Sequence, residues 1–361
     1  MSAAPFVWQK HIRQDVQSMH AYAVQDAQGM VKLDAMENPY RLPEHLQAAL
    51  AQRLGALALN RYPGERIGHL RRELALYAHM PAGFDIMLGN GSDELISLLT
   101  MACDVPGASL LAPVPGFVMY AICAQLQGVK FHGVPLQADF ELDEQAMLAA
   151  IAEHRPSLVY LAYPNNPTGT LWNAQVIERI VQAQGEQGGL VVMDEAYQPF
   201  ASATYMDSIE QHGHVLLMRT LSKFGLAGVR LGYMMGPKAL IAEIDKVRPP
   251  YNVSVLNCEC ALFALEHAQI FAQQAQEICA EREKLIQALV QIPGIQVFPS
   301  QANMILVRMP HATSAFEGMK MRGVLVKNVS KMHPLLDNCL RLTVGTAQEN
   351  KQMLAALKES L

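Results

Sequence analysis

The stretch LVVMDEAY, residues 190–197, decides the fold. Its first four residues, Leu190–Met193, are continuously apolar, as expected of a short strand buried on both faces of a parallel sheet. Asp194 closes the run, and in open α/β sheets ligands gather at the carboxyl ends of strands. The same texture recurs on either side, in SLVYLA (157–162) and HVLLM (214–218), with shorter runs at Ser109–Ala112 and Asp85–Leu88. Between these runs lie helical segments: Asp93 to about Cys103, Phe117–Gln127 and Asn173–Gln184. Upstream, Leu42–Leu59 and His69–His79 read as helices, the second stopped by Pro81 and Gly83. Strands alternating with helices in this way predict an α/β domain built on a doubly wound, mostly parallel sheet.

After about Lys246 the texture changes. RPPYNVS reads as a turn, one long helix is expected from Asn257 to about Ile292, and strand-like IQVF, MILVRM, GVLVKN and CLRLTV follow. That is an α+β pattern. The expected division is an N-terminal arm over 1–40 joining the small domain, a large ligand-binding domain over 41–247, and a smaller α+β domain over 248–361.

Composition narrows the function. Of 361 residues, 51% are apolar and 17% charged, with a net charge of −5 and no long Lys/Arg run, which argues against nucleic acid or an acidic membrane surface as partner. No uncharged apolar stretch reaches the ~18 residues of a membrane span. The six cysteines are dispersed, and Cys258 and Cys260 lack both zinc spacing and a second cluster, so no metal is expected. Reduced thiols and an opening without a signal pattern predict a cytoplasmic protein. No repeat or low-complexity tract is visible.

Four features follow one another in or just after the predicted strands: Asn166 in PNNPTG, Asp194 and Tyr197 in DEAY, Ser222-Lys223, and Arg230 in GLAGVRLG. Individually each has a plainer reading. Asp194 could cap a helix, PNNPTG could be only a turn, and most lysines are solvated. Together they share a chemical purpose if the ligand is pyridoxal 5'-phosphate. That cofactor needs a lysine amine for a Schiff base, here Lys223, and a carboxylate to keep its ring nitrogen protonated, here Asp194. Tyr197 and Asn166 would donate to its phenolate oxygen. Gly91-Ser92-Asp93 opens a helix after a strand, where free N–H groups favour an anion, so the phosphate could sit there with Ser222 and Arg230. Phe117 could stack on the ring.

The chain resembles the fold type I aminotransferases, the aspartate aminotransferase superfamily, through GNGSDEL, PNNPTG, DEAY and SKFGLAGVRLGY, in that order. Within it, LDAMENPY, NRYPG, KVRPPYNVS and LRLTVGT resemble the histidinol-phosphate aminotransferase family. The resemblance implies the roles given above for Asn166, Asp194, Tyr197, Ser222, Lys223 and Arg230. It further implies a homodimer with shared active sites, in which Tyr62 reaches the cofactor phosphate of the neighbouring subunit. Arg341 would bind the carboxylate of glutamate, and Tyr22 would face the substrate. Two departures stand out. Phe117 replaces a commoner tyrosine, and Lys327 lies near where relatives carry an arginine for the substrate phosphate, keeping the charge without the bidentate fork. The implied reaction moves an amine between a small-molecule donor and a keto acceptor: glutamate and imidazole acetol phosphate give 2-oxoglutarate and histidinol phosphate, in histidine biosynthesis. Alternatives are an aromatic amino acid aminotransferase, a related decarboxylase, and a non-catalytic ligand-sensing module. The last usually carries a DNA-binding domain, and no helix-turn-helix pattern is visible.

Overall fold

The computed structural model describes residues 8–19 and 25–361. A one-turn helix α1 (Gln14–Gln17) and a short strand β1 (Val31–Lys32) lead to helices α2 (Glu44–Gly55) and α3 (Arg66–Tyr77). The α/β alternation then begins: β2 (Phe84–Gly89), α4 (Ser92–Ala102), β3 (Ser109–Val114), α5 (Met119–Gln127) and β4 (Lys130–Pro135). It continues through α6 (Glu144–His154), β5 (Leu158–Ala162), α7 (Ala174–Glu186) and β6 (Leu190–Asp194). β7 (Val215–Thr220), β8 (Gly232–Pro237) and α8 (Lys238–Ile244) complete it.

These seven strands form one sheet in the order β2-β8-β7-β6-β5-β3-β4. β8 runs antiparallel to both its neighbours, and the other pairs are parallel. The apolar runs are continuous because both faces of the sheet are covered. Val159, Leu161, Val191 and Met193 pack into one buried cluster, whereas Leu158, Tyr160 and Val192 pack into another. Alternate residues of a strand point to opposite faces, so a strand serving two cores has no polar positions to spare. Strand order reverses between β3 and β5, since the chain goes outward to β4 and returns to the other side of β3. Such a reversal opens a crevice at the strands' carboxyl ends.

The remainder comprises α9 (Val255–Glu266), α10 (Ala268–Leu289), β9 (Gln296–Val297), β10 (Met304–Arg308) and α11 (Ala312–Met321). β11 (Val324–Leu325), β12 (Lys327–Asn328), β13 (Cys339–Thr343) and α12 (Ala347–Lys358) close the chain. A four-stranded sheet β12-β13-β10-β9 packs with α10, α11 and α12 around a third buried cluster, while α9 packs into the first cluster beside α2 and α3. Capping boxes start two of them, Ser254 with Asn257 on α9 and Thr346 with Glu349 on α12.

Three local expectations change. The single long helix from Asn257 is two helices, broken at His267 (φ −116°, ψ 27°). GVLVKN is not one strand: Val324-Leu325 pairs in parallel with Val31-Lys32, while Lys327-Asn328 joins β13. The poorly periodic arm therefore contributes a strand. β4 and β8 carried no strand signal, because β4 is an edge strand with exposed residues and β8 is bounded by glycine and proline.

Candidate active site

The strand ends supply the site. Phe117 follows β3, Asn166 follows β5, Asp194 ends β6, and Ser222-Lys223 follow β7. All of these line one cavity of about 340 Å³, together with Ser92, Asp93, Tyr197 and Arg230.

At the phosphate end, Gly91 takes φ +82° and α4 starts at Ser92 with no side-chain cap. A Cβ on Gly91 would stand 2.5 Å from Arg230 Nη2, so only glycine lets the guanidinium lie against this turn. Gly232 on β8 has the same purpose, since its Cβ would meet Ser92 N at 2.6 Å. Arg230 sits in the left-handed region (φ 54°), reaches Ser222 Oγ at 3.4 Å and pairs with Asp93 at 3.3 Å. Uncapped N–H groups, a hydroxyl and a guanidinium converge here, which suits a phosphate.

Asp194 is buried, and burial pushes its carboxyl up to about 6. Two hydrogen bonds oppose that shift: Tyr120 Oη donates to Oδ2 at 2.6 Å, and the Ala196 amide donates to Oδ1 at 3.1 Å. Its neighbour Glu195 turns the other way, to Arg219 at 2.8 Å and to the Tyr205 amide at 2.6 Å, which fixes the loop after β6. Asn166 Nδ2 donates to Tyr197 Oη at 3.1 Å, joining the two predicted phenolate donors.

Lys223 begins its role from a π-helical turn, Ser222–Leu226. Its Nζ donates to the Ala35 carbonyl at 2.8 Å and lies 5.9 Å from the Tyr197 ring centre. Burial, then the positive charges of Arg341 and Arg230, bring its pKa down to about 8, with Glu37 and Asp93 opposing. A lysine so placed gives up its proton far more readily than an ordinary one, which favours a nucleophilic amine.

Arg341 on β13 donates to Asn166 Oδ1 at 2.8 Å and to the Asp34 carbonyl at 2.6 Å. Lys327 is its cross-strand partner, so the two cations share a face of the small sheet; neither lines the cavity, and Arg341 meets it through Asn166. Tyr62 is 73% exposed and lies outside the cavity, stacked on Tyr251 at 4.1 Å. Tyr22 falls outside the described residues.

Two contributions went unseen in the sequence. Ala35, Met36 and Glu37 line the cavity, and Ala35 acts through a backbone carbonyl, which leaves no side-chain trace. Tyr120 lies three residues after Phe117, a helical spacing that could have raised it. Among the described residues, no cluster suited to a metal ion occurs and no helix is long and apolar enough to cross a membrane.

The cavity thus offers a buried amine, a buried carboxylate and an anion cradle, which is the donor set that pyridoxal 5'-phosphate requires. Comparison with known proteins agrees. The chain is 73% identical over 352 residues to the histidinol-phosphate aminotransferase of Polaromonas naphthalenivorans, covering 98% of this chain and 96% of that one. Its identity to the protein of the same name from Methylibium petroleiphilum is 70%, covering 97% and 94%. The fold matches the histidinol-phosphate aminotransferase of Sinorhizobium meliloti, solved in complex with pyridoxal-5'-phosphate, with a TM-score of 0.81, 24% identity and 99% of each chain covered. The profile of aminotransferase class I and II matches residues 28–357. With nearly its whole length inside that match, the chain belongs to the class I and II aminotransferases.

Proposed function

We propose that the protein is a pyridoxal-phosphate-dependent histidinol-phosphate transaminase of histidine biosynthesis, which takes the amine of glutamate and passes it to imidazole acetol phosphate. The observation that carries the reaction class is the meeting of Lys223 and Asp194 on one cavity beside the Arg230 cradle. Likeness over almost the full chain to relatives of that name supports the substrate.

When bound, pyridoxal phosphate supplies an aldehyde carbon for the amine and a protonated ring that draws off electrons as the substrate Cα–H bond breaks. The chain's own residues do the rest. Arg230, Ser222 and the N–H groups at Ser92 hold the phosphate. Asp194 keeps a proton on the ring nitrogen, Phe117 covers the ring, and Asn166 with Tyr197 donates toward the phenolate oxygen. Lys223 Nζ would take the substrate's Cα proton, work suited to a buried amine whose pKa is lowered to about 8. Arg341 holds the glutamate carboxylate, and Lys327 on the same sheet face meets the phosphate of the second substrate. One site serves both half-reactions, so the kinetics are ping-pong.

The exposed Tyr62–Tyr251 stack supports a homodimer in which Tyr62 reaches the cofactor phosphate of the neighbouring subunit. Six free cysteines suit a reducing, cytoplasmic setting. The test is steady-state turnover of the purified protein with histidinol phosphate and 2-oxoglutarate, set against phenylalanine and tyrosine. A higher kcat/KM for the aromatic amino acids would overturn the substrate, and no transamination at all would overturn the reaction.

A further inference from the structure

We propose that Tyr120 is a positioning residue for this reaction, holding the Asp194 carboxylate ionised and aimed while its ring braces Phe117. The proposal rests on the functional reading above, in which Asp194 faces a protonated ring nitrogen. Tyr120 stands in the first turn of α5 and is 2% exposed. Its hydroxyl donates to Asp194 Oδ2 at 2.6 Å, its ring meets Phe117 edge to face at 5.7 Å, and it also stacks nearly parallel on Tyr160 at 4.4 Å. The phenol is therefore fixed between the residue expected to cover the cofactor ring and the residue expected to hold its nitrogen.

The chemistry makes the hydroxyl matter. A buried carboxylate drifts toward its protonated form unless donors stabilise the charge. Asp194 must stay anionic, since a protonated carboxyl could not hold a further proton on the ring. The titratable groups around it are Tyr120 on α5, Tyr160 on β5, Glu195 and Tyr197 after β6, and Asp93 on α4. Glu195 is engaged by Arg219 and Asp93 by Arg230, and both raise the Asp194 pKa rather than lower it. Tyr120 is the side chain that supplies a donor, with the Ala196 amide on the other oxygen.

Tyr120→Phe keeps every ring contact and removes one hydrogen bond. The carboxyl of Asp194, followed in the apoprotein by carbon NMR, should titrate about one pH unit higher or more, the scale of a lost bond to a charged group. In the holoenzyme the pH dependence of the bound cofactor's visible absorbance should shift, and kcat should fall about tenfold with the KM for glutamate within about twofold. On an Asp194→Asn background the same change should cost less than about twofold, because the acceptor charge is already gone. Tyr120→His, which keeps a donor, should stay closer to wild type than Tyr120→Phe and guards against a folding defect in the latter. An unchanged Asp194 titration, or a loss that adds in full to Asp194→Asn, overturns the proposal. If the wild type transaminates and Tyr120→Phe matches it, this proposal alone falls; if the wild type binds no cofactor, the functional reading falls and takes this one with it.

Discussion

Lys223 should capture its cofactor with a pH profile set by a pKa of about 8 rather than by an ordinary lysine. The structure supplies the magnitude. Burial is the largest cause of the lowering from 10.5, and Arg341 is the next. At pH 7.5 a lysine titrating at 8 has about one amine in four unprotonated, against about one in a thousand for an unperturbed one, an advantage of roughly two hundredfold. The assay is the rate at which excess apoprotein develops the visible absorbance of bound pyridoxal phosphate, measured from about pH 6.5 to 10.5. The rate should rise about tenfold per pH unit below the pKa and flatten above about 8.5. Arg341→Gln removes one cation facing the amine while leaving it buried, so its plateau should begin at higher pH. A linkage consequence can be checked by denaturation. With the folded pKa below the unfolded one, the apoprotein bears a cost that is full below about 8 and is relieved as pH climbs toward 10.5. Lys223→Met should therefore be the more stable apoprotein at pH 7, with the difference shrinking toward pH 10.5. A capture rate that keeps climbing to pH 10, in step with a normal lysine, would refute the reasoning.

The other expectations concern the same cavity and the cations on the sheet face beside it. Asp194 is pushed up to about 6, so its folded pKa exceeds its unfolded value; the cost to the apoprotein is absent below about 3.8 and full above about 6. Asp194→Asn should accordingly raise the apoprotein Tm at pH 8, leave it unmoved near pH 4, and cut turnover to a small residual rate. Gly91→Ala places a Cβ 2.5 Å from Arg230 Nη2 at a backbone φ of +82° and should weaken cofactor retention on dialysis by about tenfold or more. Arg341→Lys, which loses the fork that meets a carboxylate, should raise the KM for glutamate about tenfold or more in steady-state assays. Lys327→Ala should cost histidinol phosphate far more than glutamate, and an equal loss for both would remove Lys327 from phosphate recognition.

Much of this site is legible in the sequence because its groups are side chains at the ends of strands that betray themselves by being apolar throughout. LVVM before Asp194 and SLVYLA before Asn166 are strands with two buried faces, a pattern that short loops and surface elements do not produce. Other parts left little trace for physical reasons. Ala35 holds Lys223 through a carbonyl, and any residue has one. Val31-Lys32 becomes a strand only by pairing with Val324-Leu325, almost the whole chain away. The break at His267 interrupts an apolar pattern that reads as continuous. Tyr120 lies in MYAIC, where an aromatic at helical spacing reads as packing, and only the approach of β6 turns its hydroxyl toward a carboxylate.

The electrostatics of the cavity fit together in one direction. Burial drives Lys223 and Asp194 alike toward their neutral forms, lowering the amine and raising the carboxyl. In isolation that is a cost to folding, which the hydrogen bonds from Tyr120 and the Ala196 amide offset only in part at Asp194. A ligand that brings a protonated nitrogen to Asp194, an aldehyde to Lys223 and a phosphate to Arg230 returns a partner to each group at once. Such a ligand binds the folded state alone, and its binding free energy raises stability by mass action. The amine that the fold has made costly to protonate is the one the chemistry needs unprotonated, and the carboxylate it has made costly to ionise is the one the ring proton rewards. Holoprotein should therefore outlast apoprotein by a margin that narrows as Lys223 or Asp194 is replaced, and a cofactor-induced rise in Tm that is the same in wild type, Lys223→Met and Asp194→Asn would break that link between stability and function.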